Sequence, residues 1–457
     1  MEPYSLSIKK LLEGLKDKLF SQEEVYSSFL QRVNKYNNKL NIFLTVCDEP
    51  YKKDKTKSNK VGGIPIGVKD IFVTKGLRTT AGSKVLENYI PEYSATIVER
   101  LLESGASVIG KTNLDAWAHG ASGENSDFGP TKNPWNTQYV PGGSSSGSAA
   151  SVAAQMCPAA LATDTGGSIR FPSSFCNIVG IKPTYGRCSR YGVIAMASSL
   201  DSPGVMAKTV EDCELVFNLI AGTDEYDGTT VTFEPRPVPR KIRVGIPKEY
   251  FSEGINNEVR LQVEEAIRII SSIPNVDVVG EVSLPHTEYA VATYYIIVPS
   301  EISSNLARYD GIRYGHDRSF FGDEAKRRIM LGTYALSAGY YDAYYKKAMK
   351  VRTLIKQDFE KVFEKVDVLV APVSPTPPFK LGEKVNDPLA MYMCDVLTGP
   401  INLAGIPSLA LPAGFTKSGL PVGMQFIGPQ MGESILFELG KKYQEVTDWH
   451  LKKPMII

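Results

Sequence analysis

Between Pro141 and Pro172 two glycine- and serine-rich loops enclose one short αβ unit, and no other stretch constrains the chain so tightly. It reads Pro-Gly-Gly-Ser-Ser-Ser-Gly-Ser-Ala-Ala from Pro141 and Ala-Thr-Asp-Thr-Gly-Gly-Ser-Ile-Arg-Phe-Pro from Ala162. Gly142, Gly143 and Gly147 lack Cβ atoms, so the first loop is free to take positive φ and to approach another group closely. The run Ser148 to Met156 predicts a tightly packed helix, with serines near its N-terminus where orphan N–H groups need acceptors. Ala159 to Thr163 predicts a short buried strand. Asp164 to Ser168 is then the turn at its C-terminal end, where open α/β sheets place their chemistry. A serine after Thr-Gly-Gly is flanked by main-chain N–H groups, which suits a nucleophile beside an oxyanion hole. By composition alone, two ordinary surface turns account for the same residues.

The rest of the chain supplies a frame for this unit. The first forty residues predict two amphipathic helices. One carries a stripe of Leu6, Ile8, Leu11, Leu12, Leu15 and Leu19; the other opens on a capping box at Ser21–Glu24 and presents Val25, Phe29, Leu30 and Val33. Strand signals follow at Gly62 to Phe72, Ala106 to Ile109, Lys241 to Ile246, Val366 to Ala371, Ser408 to Leu411 and Pro421 to Ile427. Short apolar runs broken by Gly and Pro fill 177–206, as in sheet edges and loops. Helices are predicted at Ser94 to Ser104, Val210 to Ile220, Asn257 to Ser272, Ala325 to Val362 and Glu433 to Val446. The tyrosines at 334, 340, 341, 344 and 345 suit a core or an interface. Strands and helices alternate without a repeat, which predicts an α/β fold: a single large mixed, twisted sheet covered by helices on both faces. The segment 224–240, with Pro235, Pro237 and Pro239, is the best candidate for a surface linker.

Composition excludes several classes. A net charge of +1 provides no strong field for nucleic acid or anionic membrane. The lysines at 52, 53, 55, 57 and 60 are interrupted by Asp54, Ser58 and Asn59, as in a solvated loop. Six cysteines at 47, 157, 176, 188, 213 and 394 include no Cys-x-x-Cys pair, which fits reduced thiols and a cytoplasmic setting. The four histidines, at 119, 286, 316 and 450, show no zinc-ligand spacing, so no metal site is expected. No run has the length of a membrane span or the pattern of a signal peptide.

Two lysines stand out. Lys69 is embedded in the apolar strand signal Gly-Gly-Ile-Pro-Ile-Gly-Val-Lys-Asp-Ile-Phe. It reads either as a stem along the sheet with its ammonium in water, or as a desolvated amine able to act as a base. Lys111 belongs to Gly-Ala-Ser-Val-Ile-Gly-Lys-Thr (105–112), which matches a phosphate-binding loop letter for letter. Such a loop follows a strand and opens a helix. Here the order is reversed and the intervening residues are themselves a strand, so a nucleotide-binding protein is kept only as a rival. A Ser-Lys pair is a known substitute for Ser-His-Asp, and neither His119 nor His316 lies in a pattern that marks it as the base.

Gly-Val-Lys-Asp at 67–70, Gly-Gly-Ser-Ser-Ser-Gly-Ser at 142–148 and Asp-Thr-Gly-Gly-Ser-Ile-Arg at 164–170 together resemble the amidase signature family. The spacing agrees: Lys69 and Ser144 lie 75 residues apart, Ser144 and Ser168 24. Within the family the chain is most similar to the glutaminase subunits of bacterial tRNA-dependent amidotransferases. The segments 123–126, 131–135, 307–315, 326–337 and 339–348 carry that likeness, which runs nearly end to end. The resemblance implies one amidase domain over 1–457, with a helical N-terminal part at about 1–60. It implies Ser168 as nucleophile, Ser144 after a cis peptide bond as proton relay, and neutral Lys69 as base. The oxyanion hole would be formed around Thr165, Gly166, Gly167 and Ser168. Arg328 and Asp395 would hold the α-carboxylate and α-ammonium of glutamine, as a zwitterion needs one cation and one anion. It further implies a heterotrimer with B and C subunits. There the partner holds the tRNA and uses ATP with magnesium, and this chain carries no cofactor and meets no membrane. Ser146 stands where the family usually has glycine, and Phe171 and Ser173 replace a common Gln-Pro-Ala continuation. A free-standing amidase acting on another amide, and a catalytically silent scaffold, are the other readings of the same motifs.

Overall fold

Eleven strands form one sheet: β1 (Phe43–Tyr51), β2 (Pro65–Lys69), β3 (Ser107–Thr112), β4 (Ala159–Asp164), β5 (Val179–Lys182), β6 (Ser202–Ala207), β7 (Ile242–Pro247), β8 (Val276–Val282), β9 (Val368–Pro372), β10 (Ser408–Phe415) and β11 (Pro421–Ile427). The structure, a computed structural model, describes residues 2–53, 58, 60–230, 232, 234–312 and 315–455. Asp54, Lys55, Lys57 and Asn59 of the basic run, Val231 and Phe233 of the 224–240 segment, and Arg313 and Tyr314 of the 307–315 motif lie outside the described residues.

The sheet order is β1-β3-β2-β4-β6-β5-β10-β11-β9-β7-β8. β3, β2 and β4 run parallel, as do β9, β7 and β8. The pairs between β4 and β9 are antiparallel, and β1 closes one edge antiparallel to β3. Every residue of β2, β3, β4, β5, β6, β9 and β11 is buried, as in a sheet covered on both faces. The mixed sheet expected from the alternation of elements is therefore present. The stretch 177–206, whose broken apolar runs suggest sheet edges and loops, instead supplies the interior strands β5 and β6, and β1 and β8 were not predicted. Both are edge strands whose apolar pattern is cut by polar residues, Asp48 and Glu49 in one and Asp277 and Glu281 in the other.

The helix Gln22–Leu40 opens on the expected capping box. Ser21 Oγ accepts the Glu24 N–H at 3.1 Å and Glu24 Oε2 accepts the Ser21 N–H at 2.6 Å. The preceding helix stops at Lys16, so Leu19 falls off the predicted stripe and is 75% exposed. The helix expected from Ala325 to Val362 is divided. Asp323–Leu336 ends where Ser337 turns extended and Gly339 takes φ +87°; a π-helical turn at Asp342–Lys346 then leads into Lys347–Val362. Tyr334, Tyr340, Tyr341 and Tyr344 lie exposed around this break rather than in the core. The 224–240 segment leads to β7 of the same sheet and is held against its surface. The Arg236 N–H bonds the Met431 carbonyl at 3.0 Å, and Ser434 Oγ bonds the Arg236 carbonyl at 2.7 Å.

Candidate active site

Because β2 and β4 are parallel neighbours, with Val68 opposite Leu161, their C-terminal ends lie side by side. Lys69 is the last residue of β2 and Thr163 the penultimate residue of β4. The loop from Pro141 brings a cis peptide bond at Gly143–Ser144 over these ends, backed by the fully buried helix Ser146–Ala153. Lys69 Nζ, with no exposed surface, lies 2.8 Å from Ser144 Oγ, 2.9 Å from Ser145 Oγ and 2.8 Å from Thr163 Oγ1. Ser145 Oγ also donates to the Thr163 carbonyl at 3.1 Å. The serine at the N-cap thus makes no cap bond to its helix, contrary to the expectation for serines there. Its hydroxyl is committed to Lys69 and β4 instead.

Burial pulls the Lys69 amine down to about 7, against the opposing pull of Asp115, Asp164 and Asp201. The stem-in-sheet, head-in-water alternative for this lysine is therefore not what the fold adopts. Asp115 sits under the loop: its carboxylate accepts the Gly123 N–H at 3.0 Å and the Asn125 N–H at 2.9 Å, and burial pushes it up to about 7. A Cβ at Gly143 would collide with Asp115 Oδ2, so only glycine fits there.

The turn after β4 is anchored by Asp164. Burial alone would push its carboxyl up, but Arg170, paired through Nε and Nη2 at 3.0 Å each, brings it to about 2. Thr165 Oγ1 donates to Asp201 Oδ1 at 2.7 Å. Thr398 Oγ1 donates to the Gly166 carbonyl at 2.5 Å, and the Ser145 N–H reaches the Ser168 carbonyl at 3.3 Å. Among the described residues, the N–H groups of Gly166, Gly167 and Ser168 have no protein acceptor, and the Ser168 hydroxyl has no partner. An unengaged hydroxyl beside unengaged amide donors is the arrangement that acyl transfer at a carbonyl requires.

Arg328 and Asp395, distant in sequence, meet at one tyrosine. Tyr295 OH donates to Asp395 Oδ2 at 2.8 Å, and the Arg328 guanidinium lies over the Tyr295 ring at 5.4 Å and the Tyr392 ring at 5.7 Å. Tyr295 and Tyr392 stack at 3.9 Å. Arg328 is buried and donates to Glu324 Oε1 at 2.7 Å. Burial pushes the Asp395 carboxyl up to about 7, against the Tyr295 bond and the Arg328 charge. Thr398, three residues beyond Asp395, ties this group to the nucleophile turn, and a Cβ at Gly166 would strike the Tyr294 hydroxyl.

Sequence reasoning missed Ser145, Thr163, Asp115, Tyr295 and Thr398 as parts of the site. The middle serine of Ser-Ser-Ser and the aspartate beside the phosphate-loop mimic were visible, but only the folded contacts give them a task. His316 pairs with Glu87 at 2.7 Å and stacks on Phe320. Lys111 is wholly buried, 3.0 Å from Asp70 Oδ1, donating to Thr79 Oγ1 at 2.6 Å and to the Phe72 carbonyl at 3.0 Å. With its ammonium spent inside the fold and its motif within β3, it has no phosphate-binding geometry. Of the departures, Phe171 is buried against Phe175 at 4.4 Å, and Ser146 Oγ lies 3.4 Å from Thr131 Oγ1.

A family model described as Amidase matches residues 24–437. The chain is 49% identical to the A subunit of the glutamyl-tRNA(Gln) amidotransferase of Geotalea daltonii, over 99% of each protein. The solved structure of the corresponding glutamyl-tRNA(Gln) amidotransferase A subunit from Thermotoga maritima superposes with a TM-score of 0.85 at 39% identity, covering 97% of this chain and 95% of that one. A 6-aminohexanoate cyclic dimer hydrolase superposes at 0.89 over 99% of both chains with 22% identity, a likeness of fold alone. With the sheet, the Lys69–Ser144 contact and the nucleophile turn already in place, these matches assign the chain: it belongs to the amidase family.

Proposed function

We propose that the chain is the glutamine-hydrolysing A subunit of a tRNA-dependent amidotransferase, acting as one amidase unit from end to end. The observation that carries the chemistry is the 2.8 Å contact of Lys69 Nζ with Ser144 Oγ at a site where burial brings the amine to about 7. A neutral amine has two N–H donors and one lone pair. Ser145 has already given its proton to the Thr163 carbonyl, so it receives one donor, and Thr163 Oγ1 receives the other. The lone pair is left for the Ser144 O–H, which fits Lys69 as base and Ser144 as relay.

Ser168 Oγ attacks the side-chain carbonyl carbon of glutamine as its proton passes to Ser144, whose own proton passes to Lys69. The oxyanion settles among the N–H groups from Thr165 to Ser168. Losing one such donor typically costs about 3–4 kcal/mol of transition-state stabilisation. Collapse breaks the C–N bond, the proton returns through Ser144 to the leaving nitrogen, and ammonia departs. Water then attacks the glutamyl ester by the same route, releasing glutamate and regenerating Ser168. Arg328 and Asp395 hold the α-carboxylate and α-ammonium.

Ammonia becomes an unreactive ammonium ion in water, so it is handed to a partner within a complex. The likeness to amidotransferase A subunits supports a B subunit that binds Glu-tRNA(Gln), activates its glutamate with ATP and magnesium, and makes Gln-tRNA(Gln), with a C subunit completing a cytoplasmic heterotrimer. The near-neutral charge of this chain agrees with tRNA held on the partner. The test is glutamine hydrolysis by wild type and Ser168→Ala, each with and without the partner subunits. Wild-type activity that rises with the partner and vanishes in Ser168→Ala is expected. Activity indifferent to the partner would indicate a free-standing amidase.

A further inference from the structure

Thr398 has no part in the proton path described above, yet its side chain reaches the nucleophile turn. Its hydroxyl donates to the Gly166 carbonyl at 2.5 Å, and the residue has no exposed surface. A second acceptor, the Asp395 carbonyl, lies at 3.5 Å, so the single hydroxyl proton is committed to Gly166. What this bond holds follows from peptide geometry. The Gly166 carbonyl and the Gly167 N–H belong to one planar trans unit and point in opposite directions. Fixing the carbonyl therefore fixes the direction in which the Gly167 N–H is offered. That N–H is one of those left without a protein acceptor beside the Ser168 hydroxyl, among the described residues.

The turn on either side is tied down by other bonds. Thr165 Oγ1 is held by Asp201, the Gly167 carbonyl accepts the Phe171 N–H at 2.7 Å, and the Ser168 carbonyl accepts the Ser145 N–H at 3.3 Å. The unit between them joins two glycines, whose missing Cβ atoms leave it the freest to rotate, and Gly167 takes φ +146°. Among the described residues, no donor other than Thr398 meets the Gly166 carbonyl. A Cβ at Gly167 would strike Thr398 Oγ1, so glycine there is what lets the hydroxyl come this close. The donor is itself anchored: the Thr398 carbonyl accepts Arg170 Nη2 at 3.2 Å, and the Thr398 N–H bonds the Asp395 carbonyl at 3.2 Å.

We propose that Thr398 is a positioning residue for the oxyanion: its hydroxyl locks the Gly166–Gly167 peptide so that the Gly167 N–H faces the amide oxygen on which charge develops. Donation to the carbonyl also polarises that N–H and strengthens it as a donor. The amide oxygen of bound glutamine carries little charge before attack, so the lock acts on the transition state more than on binding. The proposal rests on the glutaminase reading.

The test is steady-state glutamine hydrolysis by the full chain with its partner subunits. Wild type is compared with T398V and T398A, which lack the hydroxyl, and with T398S, which keeps it. In T398V and T398A kcat is expected to fall about 10- to 30-fold while KM stays within about threefold. The loss is smaller than the about 10²- to 10³-fold of deleting a donor outright, because the N–H is misdirected and not removed. T398S should recover most of it. If one of the two hydroxyl-less variants fails to fold, the other decides. An unchanged kcat, a loss carried by KM, or a T398S no better than T398V would overturn the proposal while wild-type activity leaves the glutaminase reading standing. A wild type that hydrolyses no glutamine removes both.

Discussion

The site has two halves built in different ways. Lys69 ends the buried strand β2, Ser168 follows its parallel neighbour β4 and Ser144 lies in the loop before the helix Ser146–Ala153, and every residue of those two strands and that helix is enclosed. Arg328 and Asp395 stand on thinner supports. The helix Asp323–Leu336 buries only Ala325, Arg328, Gly332 and Ala335, and the short turn Met393–Asp395 buries only Cys394. Proton transfer tolerates little displacement, which suits the proposed triad's place on the most fully buried part of the fold. The proposed recognition group is held by an aromatic stack and a few polar bonds, outside the sheet.

The division is tested most severely inside the first half. Ser144 and Ser145 both touch Lys69, but only Ser144 has a proton to pass on. Ser144→Ala should lower kcat for glutamine about 10³- to 10⁴-fold, the range of a lost acid–base relay. Ser145→Ala removes one bond that orients the amine and should cost about tenfold or less. Single-turnover hydrolysis measures both. Equal losses would mean that the two hydroxyls act as one unit and that the proton inventory around Lys69 is wrong.

The second half predicts a different kind of loss. Arg328→Lys keeps the charge but gives up the planar fork that grips a carboxylate through two bonds. KM for glutamine should rise about 10- to 30-fold while kcat changes only a few-fold, since a bond to a charged partner contributes about 1.5–3 kcal/mol. Steady-state kinetics separates the two parameters. A fall in kcat as large as that of Ser144→Ala would erase the boundary between the halves.

The same boundary marks what was legible in the chain. The catalytic half is nearly contiguous: two loops and the short helix and strand between them carry Ser144, Ser168 and the oxyanion donors, and Lys69 announces itself as a cation in an apolar strand. Those patterns are local, so they are readable. The partners that give these residues their properties come through pairing. Thr163 meets Lys69 because β2 and β4 are neighbours, and Asp115 meets Gly143 because a loop folds back. In the recognition half, Arg328 and Asp395 were found only by resemblance, since an isolated arginine or aspartate carries no periodic signal. Tyr295, which joins them, lies in a helix whose apolar run looks like ordinary core. The break was missed because the flanking segments share helical composition, and the extended Ser337 and the positive φ of Gly339 that separate them leave no periodic signal.

The smallest effect belongs to Tyr295, and pH is what makes it diagnostic. Asp395 has a pKa raised by burial to about 7, with the Tyr295 hydroxyl among the groups holding it that low. If glutamine's ammonium binds the ionised carboxylate as proposed, the wild-type KM should fall as pH rises through about 7. Tyr295→Phe removes the donor and lets the carboxyl rise further. At pH 7 less of it is ionised, and KM should increase about threefold, since losing one hydrogen bond of roughly 1 kcal/mol raises the pKa by about 0.7. By pH 9 the carboxyl is ionised in both proteins and the two KM values should converge. Lys69 also titrates near 7, but it is common to both enzymes, so their ratio isolates Asp395. A ratio that stays flat from pH 6 to 9 would mean that Tyr295 acts by packing against Tyr392 and Arg328, and that the recognition half is governed by shape rather than by the charge on Asp395.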